Sequence, residues 1–214
     1  PIGGWPQRYP LRHDHPFNGK EDYSSFITLN DDVIPENIDF LIQCYQVLGM
    51  QDLKAPIMRA LNCVLALQQG APYAGWADQY TVTDLQPAHA RSYEPRSVNT
   101  ATTAHSKFLS GIPAAIRFLE SMKLPESEVK KWRRPVRENT ILVPRFIDPE
   151  SGTPLYVHRK GSNVKNGVYY VDQNIEKTIG HYSSAAYINI HALKEAYART
   201  LTLSKEEVTK DSPL

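Results

Sequence analysis

Three groups of residues in this chain have the types and spacing to do chemistry. The first lies in FITLNDDVIPENIDFL, where Asn30, Asp31 and Asp32 stand directly ahead of an apolar-periodic run. Helices favour Asn and Asp at the N-cap and acids in the first turn, so one reading is a capping cluster. A cap uses one side chain, however, and two carboxylates beside an amide leave oxygen donors over. Ca²⁺ takes several such oxygens, which makes a Ca²⁺ site the sharper alternative. The loop lacks EF-hand spacing, and the sequence leaves both readings open.

The second group is Arg145 and Arg159 in VPRFIDPESGTPLYVHR. Both are equidistant from Gly152, so a hairpin centred there would set the two guanidiniums opposite one another on one face. Like charges directly opposed in a ladder are destabilising. An anion between them reverses the sign, because a guanidinium fork grips a carboxylate in bidentate fashion. The alternatives are two solvated arginines, one of them paired to Asp148, or a register slip that separates them.

The third group is PAHARSYEPRSVNTATT, Pro87 to Thr103. Pro87 and Pro95 bracket Arg91, Tyr93 and Glu94, and prolines argue for a fixed, extended backbone. Arg91 either neutralises Glu94 on a surface loop or is held there to meet a ligand. Trp76, Asp78, Tyr80 and Tyr93, with Trp5 and Tyr9 of GGWPQRYP, supply flat rings and polar groups of the kind that line sugar clefts. Aromatic faces with acids and arginines fit an anionic sugar better than a neutral metabolite.

The elements that must position these groups read as mostly helical. Ile38, Leu41, Ile42, Tyr45 and Leu48 recur at helical spacing up to Gly49, and a second helix fits Leu53 to Gln69. Their short link predicts an antiparallel helical hairpin. A third helix fits Thr103 to Met122, interrupted at Gly111 and Pro113, and a fourth begins near Pro125 and carries a basic, solvated face. The Arg145–Arg159 stretch reads as a β-hairpin, residues 161–175 as a further short hairpin or loop, and Ala185 to Thr200 as a final helix. The pattern is one mainly α domain of paired helices over residues 1–204, with long loops, a small antiparallel sheet and a frayed tail at 205–214.

Composition narrows the function. The chain has 214 residues and a net charge of +1, so nucleic acid is not the expected partner. No apolar run approaches ~18 residues, so no membrane span is expected. Cys44 and Cys63 define no disulfide framework and read as plain buried thiols. The chain opens at Pro1 without an initiator Met or signal-type segment, which leaves the compartment open.

GGWPQRYP at Gly3–Pro10, ITLNDD at Ile27–Asp32 and PAHARSYEP at Pro87–Pro95 resemble motifs of the pectate lyases of polysaccharide lyase family ten. The Arg145/Arg159 pair resembles that family's in spacing, and the blocks follow the family's order as far as Arg159. The resemblance implies an (α/α) toroid-like catalytic domain and Ca²⁺-dependent β-elimination of polygalacturonate, with pectin oligosaccharides as partners and a secreted or periplasmic location. It assigns Ca²⁺ to Asp31, with Asp32 beside it, and the base to Arg91. Uronate carboxylates fall to Arg145 and Arg159, and Asn30 and Tyr93 join the substrate-binding set. Family members carry an Asp–Asn–Gly–Ala–Thr segment upstream of the Gly–Gly–Trp–Pro block, which here would belong to a missing N-terminal part or a companion chain.

Arginine is an unusual base, because its ordinary pKa is above ~12. Activity is therefore expected to rise toward alkaline pH, and Glu94 is expected to point away from the cleft. Two other readings remain at this stage. One is a glycoside hydrolase using Asp31 or Asp32 with Asp78. The other is a non-catalytic pectin-binding protein.

Overall fold

The computed structural model describes residues 2–11, 22–105, 109–160, 168–176, 178–179, 184–204 and 206–207. The helical hairpin stands as the periodicity predicts. Helix α1 (Val33–Val47) and helix α2 (Lys54–Leu67) pack against each other, with Gly49 at φ +66° in the link between them. Their inward faces bury Ile34, Ile38, Ala60, Val64 and Leu67 against Trp76 and Tyr80.

The mainly α, toroid-like expectation does not hold: the described residues form a mixed α/β fold. Six helices are joined by eight strands in antiparallel sheets. Strands β1 (Ile27–Thr28) and β2 (Gln79–Tyr80) pair, as do β4 (Ile141–Pro144) and β8 (Ala185–Ile188). A four-stranded sheet runs in the order β3 (Val98–Asn99), β5 (Phe146–Ile147), β6 (Pro154–Lys160), β7 (Val168–Asp172). The strands are short, and several find partners far along the chain, so local periodicity carries little of them. The Ala–Ala–Tyr–Ile run of β8 has neither alternation nor a turn beside it, and its alanines read as the start of a helix. Here it is a strand on β4, and only α6 (Ile190–Thr202) is helical.

The third predicted helix is broken as Gly111 and Pro113 require. Helix α3 (Thr100–His105) and helix α4 (Ile112–Ser121) are separate, and residues 106–108 between them lie outside the described set. The fourth shrinks to α5 (Glu126–Val129), and the basic stretch after it is turn and irregular chain. Of the predicted 161–175 hairpin, β7 is present against β6, while 161–167 lie outside the described residues, as does most of the 205–214 tail. The two cysteines are free thiols, Cys63 buried and Cys44 half-buried.

A second apolar cluster joins Val98, Phe118, Val143, Ile147 and Ile188, and so bolts α4 to β3, β4, β5 and β8. Between this cluster and the α1–α2 hairpin lie three chain segments whose polar residues face one another: the turn at 30–32, the 76–80 stretch and the start of α3. No helix among the described residues is long and apolar enough to cross a membrane.

Candidate functional site

The turn ahead of α1 argues against the capping reading of its two acids. Asn30–Asp32 form a single 3₁₀ turn in which Asp31 and Asp32 both adopt left-handed backbone, φ +53° and +54°. Neither carboxylate caps a helix: Asp32 sits at the N-cap of α1 without a side-chain cap bond. Consecutive positive-φ residues other than Gly are uncommon, and their cost must be met by surrounding structure. Here the Asp78 carbonyl supplies it, accepting from the backbone N–H of Leu29 at 2.8 Å and of Asn30 at 3.3 Å.

Asp78 is the junction of the site. Its carboxylate accepts from Asn99 Nδ2 at 2.7 Å and from the Thr102 hydroxyl. Asn99 in turn caps α3, its Oδ1 accepting from the backbone N–H of Ala101 at 2.9 Å. The backbone N–H of Thr100 donates to the Arg145 carbonyl at 2.9 Å, which ties the same helix start to the β4–β5 strand. Burial pushes the Asp78 carboxyl above its ordinary range; hydrogen bonds from Thr102 and Asn99 oppose this, the Glu94 carboxylate adds to it and the Arg145 guanidinium reduces it.

Together these elements enclose a pocket of about 360 Å³. Asn30, Asp31, Asp32, Asp78, Glu94 and Arg145 line it, with Asn99, Thr102 and His105 on the α3 side. Carboxylates outnumber the guanidinium on this wall, so an anionic ligand enters favourably only with a cation to bridge it. The donor set fits a hard cation that prefers oxygen: among the described residues Asn30 Oδ1 is a buried acceptor with no hydrogen-bond partner, beside Asp31 and Asp32 on the pocket wall. No three His, Cys, Asp or Glu side chains among the described residues converge into a preformed cage. Asn30, Asp31 and Asp32 thus offer part of a coordination shell that a ligand's own oxygens would complete.

Arg91 stands behind this wall, and one expectation about it is overturned. Glu94 does not point away from the cleft: it lines the pocket, 3% exposed, and its carboxylate grips Arg91 Nε at 2.6 Å and Nη2 at 2.7 Å. The loop is bridged at Pro87 to Tyr80 and then turns tightly, with Glu94 N–H donating to the Arg91 carbonyl at 2.8 Å. A turn of this kind brings residues three apart together, which an extended reading of the prolines misses. Arg96 fastens the loop to the β5–β6 turn, donating to the Pro87 carbonyl at 3.0 Å and to Glu150 at 2.9 and 2.6 Å.

The arginine pair is not symmetric about Gly152. Phe146 pairs with Leu155 and Ile147 with Pro154, so the hairpin is centred between Glu150 and Ser151. Arg145 lines the pocket, whereas Arg159 stands opposite Tyr169 in the β6–β7 ladder. Asp148 pairs with neither arginine: it closes the turn by accepting from Ser151 N–H at 2.8 Å, and Gly152, at φ +69°, packs under the Tyr73 ring where a Cβ would come within 2.1 Å of it. Arg159 does not line the pocket, and its ladder partner Tyr169 is linked toward it through Tyr93. The Arg91 guanidinium lies 5.3 Å from the Tyr93 ring centroid, and Tyr93 meets Tyr169 edge-on at 5.5 Å.

The proposed sugar-cleft aromatics divide. Trp76 and Tyr80 are both 0% exposed and belong to the core, with Trp76 Nε1 donating to the Val64 carbonyl at 2.8 Å. Tyr9 is 93% exposed, and Trp5 packs against the α1–α2 core, so neither lines the pocket. Sequence reasoning missed Asn99, Thr102 and Tyr169; only Asn99, ahead of the Thr–Ala–Thr–Thr run, carried a signal, that of an N-cap.

The fold is that of a polysaccharide lyase. It superposes on the family 10 polysaccharide lyase from Cellvibrio cellulosa with a TM-score of 0.60 at 16% identity, covering 93% of this chain and 67% of that one. A mutant of that enzyme in complex with trigalacturonic acid gives 0.60 at 17%, covering 94% and 68%. No curated protein sequence matches the chain. The chain belongs to the pectic acid lyase family, whose model matches residues 1–189.

Proposed function

We propose that this protein cleaves polygalacturonate by Ca²⁺-dependent β-elimination, with residues 1–204 acting as one catalytic unit. The observation that carries this reading is the acid-rich pocket in which Asn30, Asp31 and Asp32 face Arg145 without being spent on helix capping. Asp31, with Asp32 and Asn30, would hold the cation, which when bound would act as a Lewis acid toward a uronate carboxylate. Trigalacturonic acid on the structurally similar enzyme supports an oligogalacturonate ligand here.

In this reading Arg145 orients the carboxylate and offers a preorganised guanidinium where negative charge develops. Arg91, in the neutral form it reaches only at alkaline pH against the pull of the Glu94 carboxylate, takes the proton from C5, C4=C5 forms, and the C4–O bond breaks with its electron pair leaving on oxygen, which is then protonated from water. A base must lie within hydrogen-bond reach of the proton it removes. The Glu94 carboxylate and the Arg96–Glu150 pair supply the fixed loop that this demands. Arg159 and Tyr93 contact the sugar beyond the pocket. A pectin substrate accords with a secreted or periplasmic enzyme.

Asp78 loses its part in a hydrolase on this reading. Its carboxylate is occupied by Asn99 and Thr102 and serves the architecture of the pocket. The test is to incubate the protein with polygalacturonate and follow the ultraviolet absorbance of unsaturated ends. Absorbance that rises, stops on adding a chelator and resumes with Ca²⁺ supports the proposal. Saturated products indicate hydrolysis, and binding without any product indicates a non-catalytic pectin-binding protein.

A further inference from the structure

Polygalacturonate is a polymer, and a pocket of about 360 Å³ lies toward the small end of ligand sites, about 300–1,000 Å³. A chain seated there must continue over the rim. On the Glu94 side the rim is built of defined parts. Glu94 holds Arg91, Arg91 lies over Tyr93, and Tyr93 meets Tyr169 at an interplanar angle of 61°. Tyr169 is directly opposite Arg159, and opposed residues of an antiparallel pair present their side chains on the same face.

Arg159 is half-buried, and among the described residues its guanidinium makes no hydrogen bond or ion pair. Partly desolvating a guanidinium without an anion is costly, and a ligand carboxylate removes that cost. Beside it, Tyr93 and Tyr169 are also half-buried, so part of each side chain is open to solvent. The face of an aromatic ring is its negative side, and it attracts the weakly positive C–H groups on the flat side of a sugar. Charge and ring together fit one uronate residue.

We infer that Tyr169 is a substrate-binding residue: with Tyr93 it forms the wall of an outer subsite that seats a uronate ring farther along the chain than a dimer in the pocket extends, its carboxylate on Arg159. This rests on the lyase reading above. A Tyr169 that merely braced Tyr93 and the Arg91 loop would act on turnover, whereas a subsite acts on binding and only for chains long enough to reach it.

The experiment compares wild type with Tyr169→Ala, Tyr169→Leu and Tyr169→Phe, measuring kcat, KM and calorimetric affinity for galacturonate oligomers from dimer to hexamer. Tyr169→Ala and Tyr169→Leu should raise KM and weaken hexamer binding about tenfold, the loss of one stacking contact. Dimer binding and kcat should change less than about twofold, and Tyr169→Phe should match wild type. Unchanged hexamer affinity, an equal loss for dimer and hexamer, or a fall in kcat at constant KM overturns the assignment. So does failure of both the Ala and Leu variants to fold, which would make Tyr169 a brace. A wild type that neither binds nor cleaves these oligomers defeats the lyase reading itself, which is a distinct result.

Discussion

Glu94 holds Arg91 through three donors at once: the guanidinium Nε at 2.6 Å, Nη2 at 2.7 Å and the backbone N–H at 3.0 Å. The carboxylate is buried and the guanidinium is 31% exposed, so the pair is fixed from the inside. Removing the acid leaves three donors without their acceptor, while the backbone bonds between Glu94 and Arg91 and between Ala90 and Glu94 and the Arg96 fastening still hold the turn. Glu94→Ala should cost about 1–3 kcal/mol of stability, at the discounted end of buried pairs because Arg91 keeps some solvent. It should also reduce kcat at least about tenfold by releasing the Arg91 fork. Thermal unfolding and polygalacturonate turnover check the two halves separately.

Arg159 gives the opposite pattern. With no anion to lose among the described residues, Arg159→Ala should leave the melting temperature within about a degree or two while raising KM about tenfold or more. A matched loss of stability would show that the guanidinium serves the fold.

Trp76 tests the division between core and site. The ring is wholly buried against the α1–α2 hairpin, so Trp76→Ala should cost about 3–5 kcal/mol. Activity should fall only with the folded fraction, as read from turnover against circular dichroism. A folded variant with selectively weakened sugar binding would return Trp76 to the site.

Asp148 carries the pH dependence of the turn between β5 and β6. Hydrogen bonds from the Ser151 backbone and hydroxyl hold its carboxyl below the ordinary carboxylate value. A depressed folded pKa stabilises the fold above the unfolded pKa, and that contribution is lost as pH falls through the folded one. Asp148→Ala should therefore be less stable than wild type by about 1 kcal/mol at pH 7, with the difference shrinking as pH drops below about 4. Urea unfolding at several pH values measures it. A difference independent of pH would contradict the assignment.

The parts of the molecule that were legible in sequence are those whose information is local. The α1–α2 hairpin followed from its 3.6-residue repeat and Gly49, and the break at Gly111–Pro113 from backbone chemistry. The Asn30–Asp32 group, Arg91 and Arg145 were recognised as residue types, and the fold gathers the turn and Arg145 around one pocket with Arg91 held just behind it. What stayed hidden is non-local. The pairing of Ile141–Pro144 with Ala185–Ile188 leaves no periodic trace, and with it went the mixed fold class. The offset register that moves Arg159 from Arg145 to Tyr169 depends on which turn closes the hairpin, which Asp148 and Ser151 decide. The inward turn of Glu94 depends on a tight turn within a proline-bracketed loop, where the prolines alone point to extension.

The central claim is that the Asn30–Asp32 turn brings a divalent cation to a uronate, and a Ca²⁺ titration tests it most directly. Calorimetry would follow Ca²⁺ binding to wild type and to Asp31→Ala, each with saturating galacturonate oligomer, alongside chelator-sensitive turnover. The account predicts Ca²⁺ uptake by wild type that weakens at least about a hundredfold in Asp31→Ala, with turnover lost in parallel. Equal Ca²⁺ binding by the two proteins, or cleavage that persists in excess chelator, would contradict it.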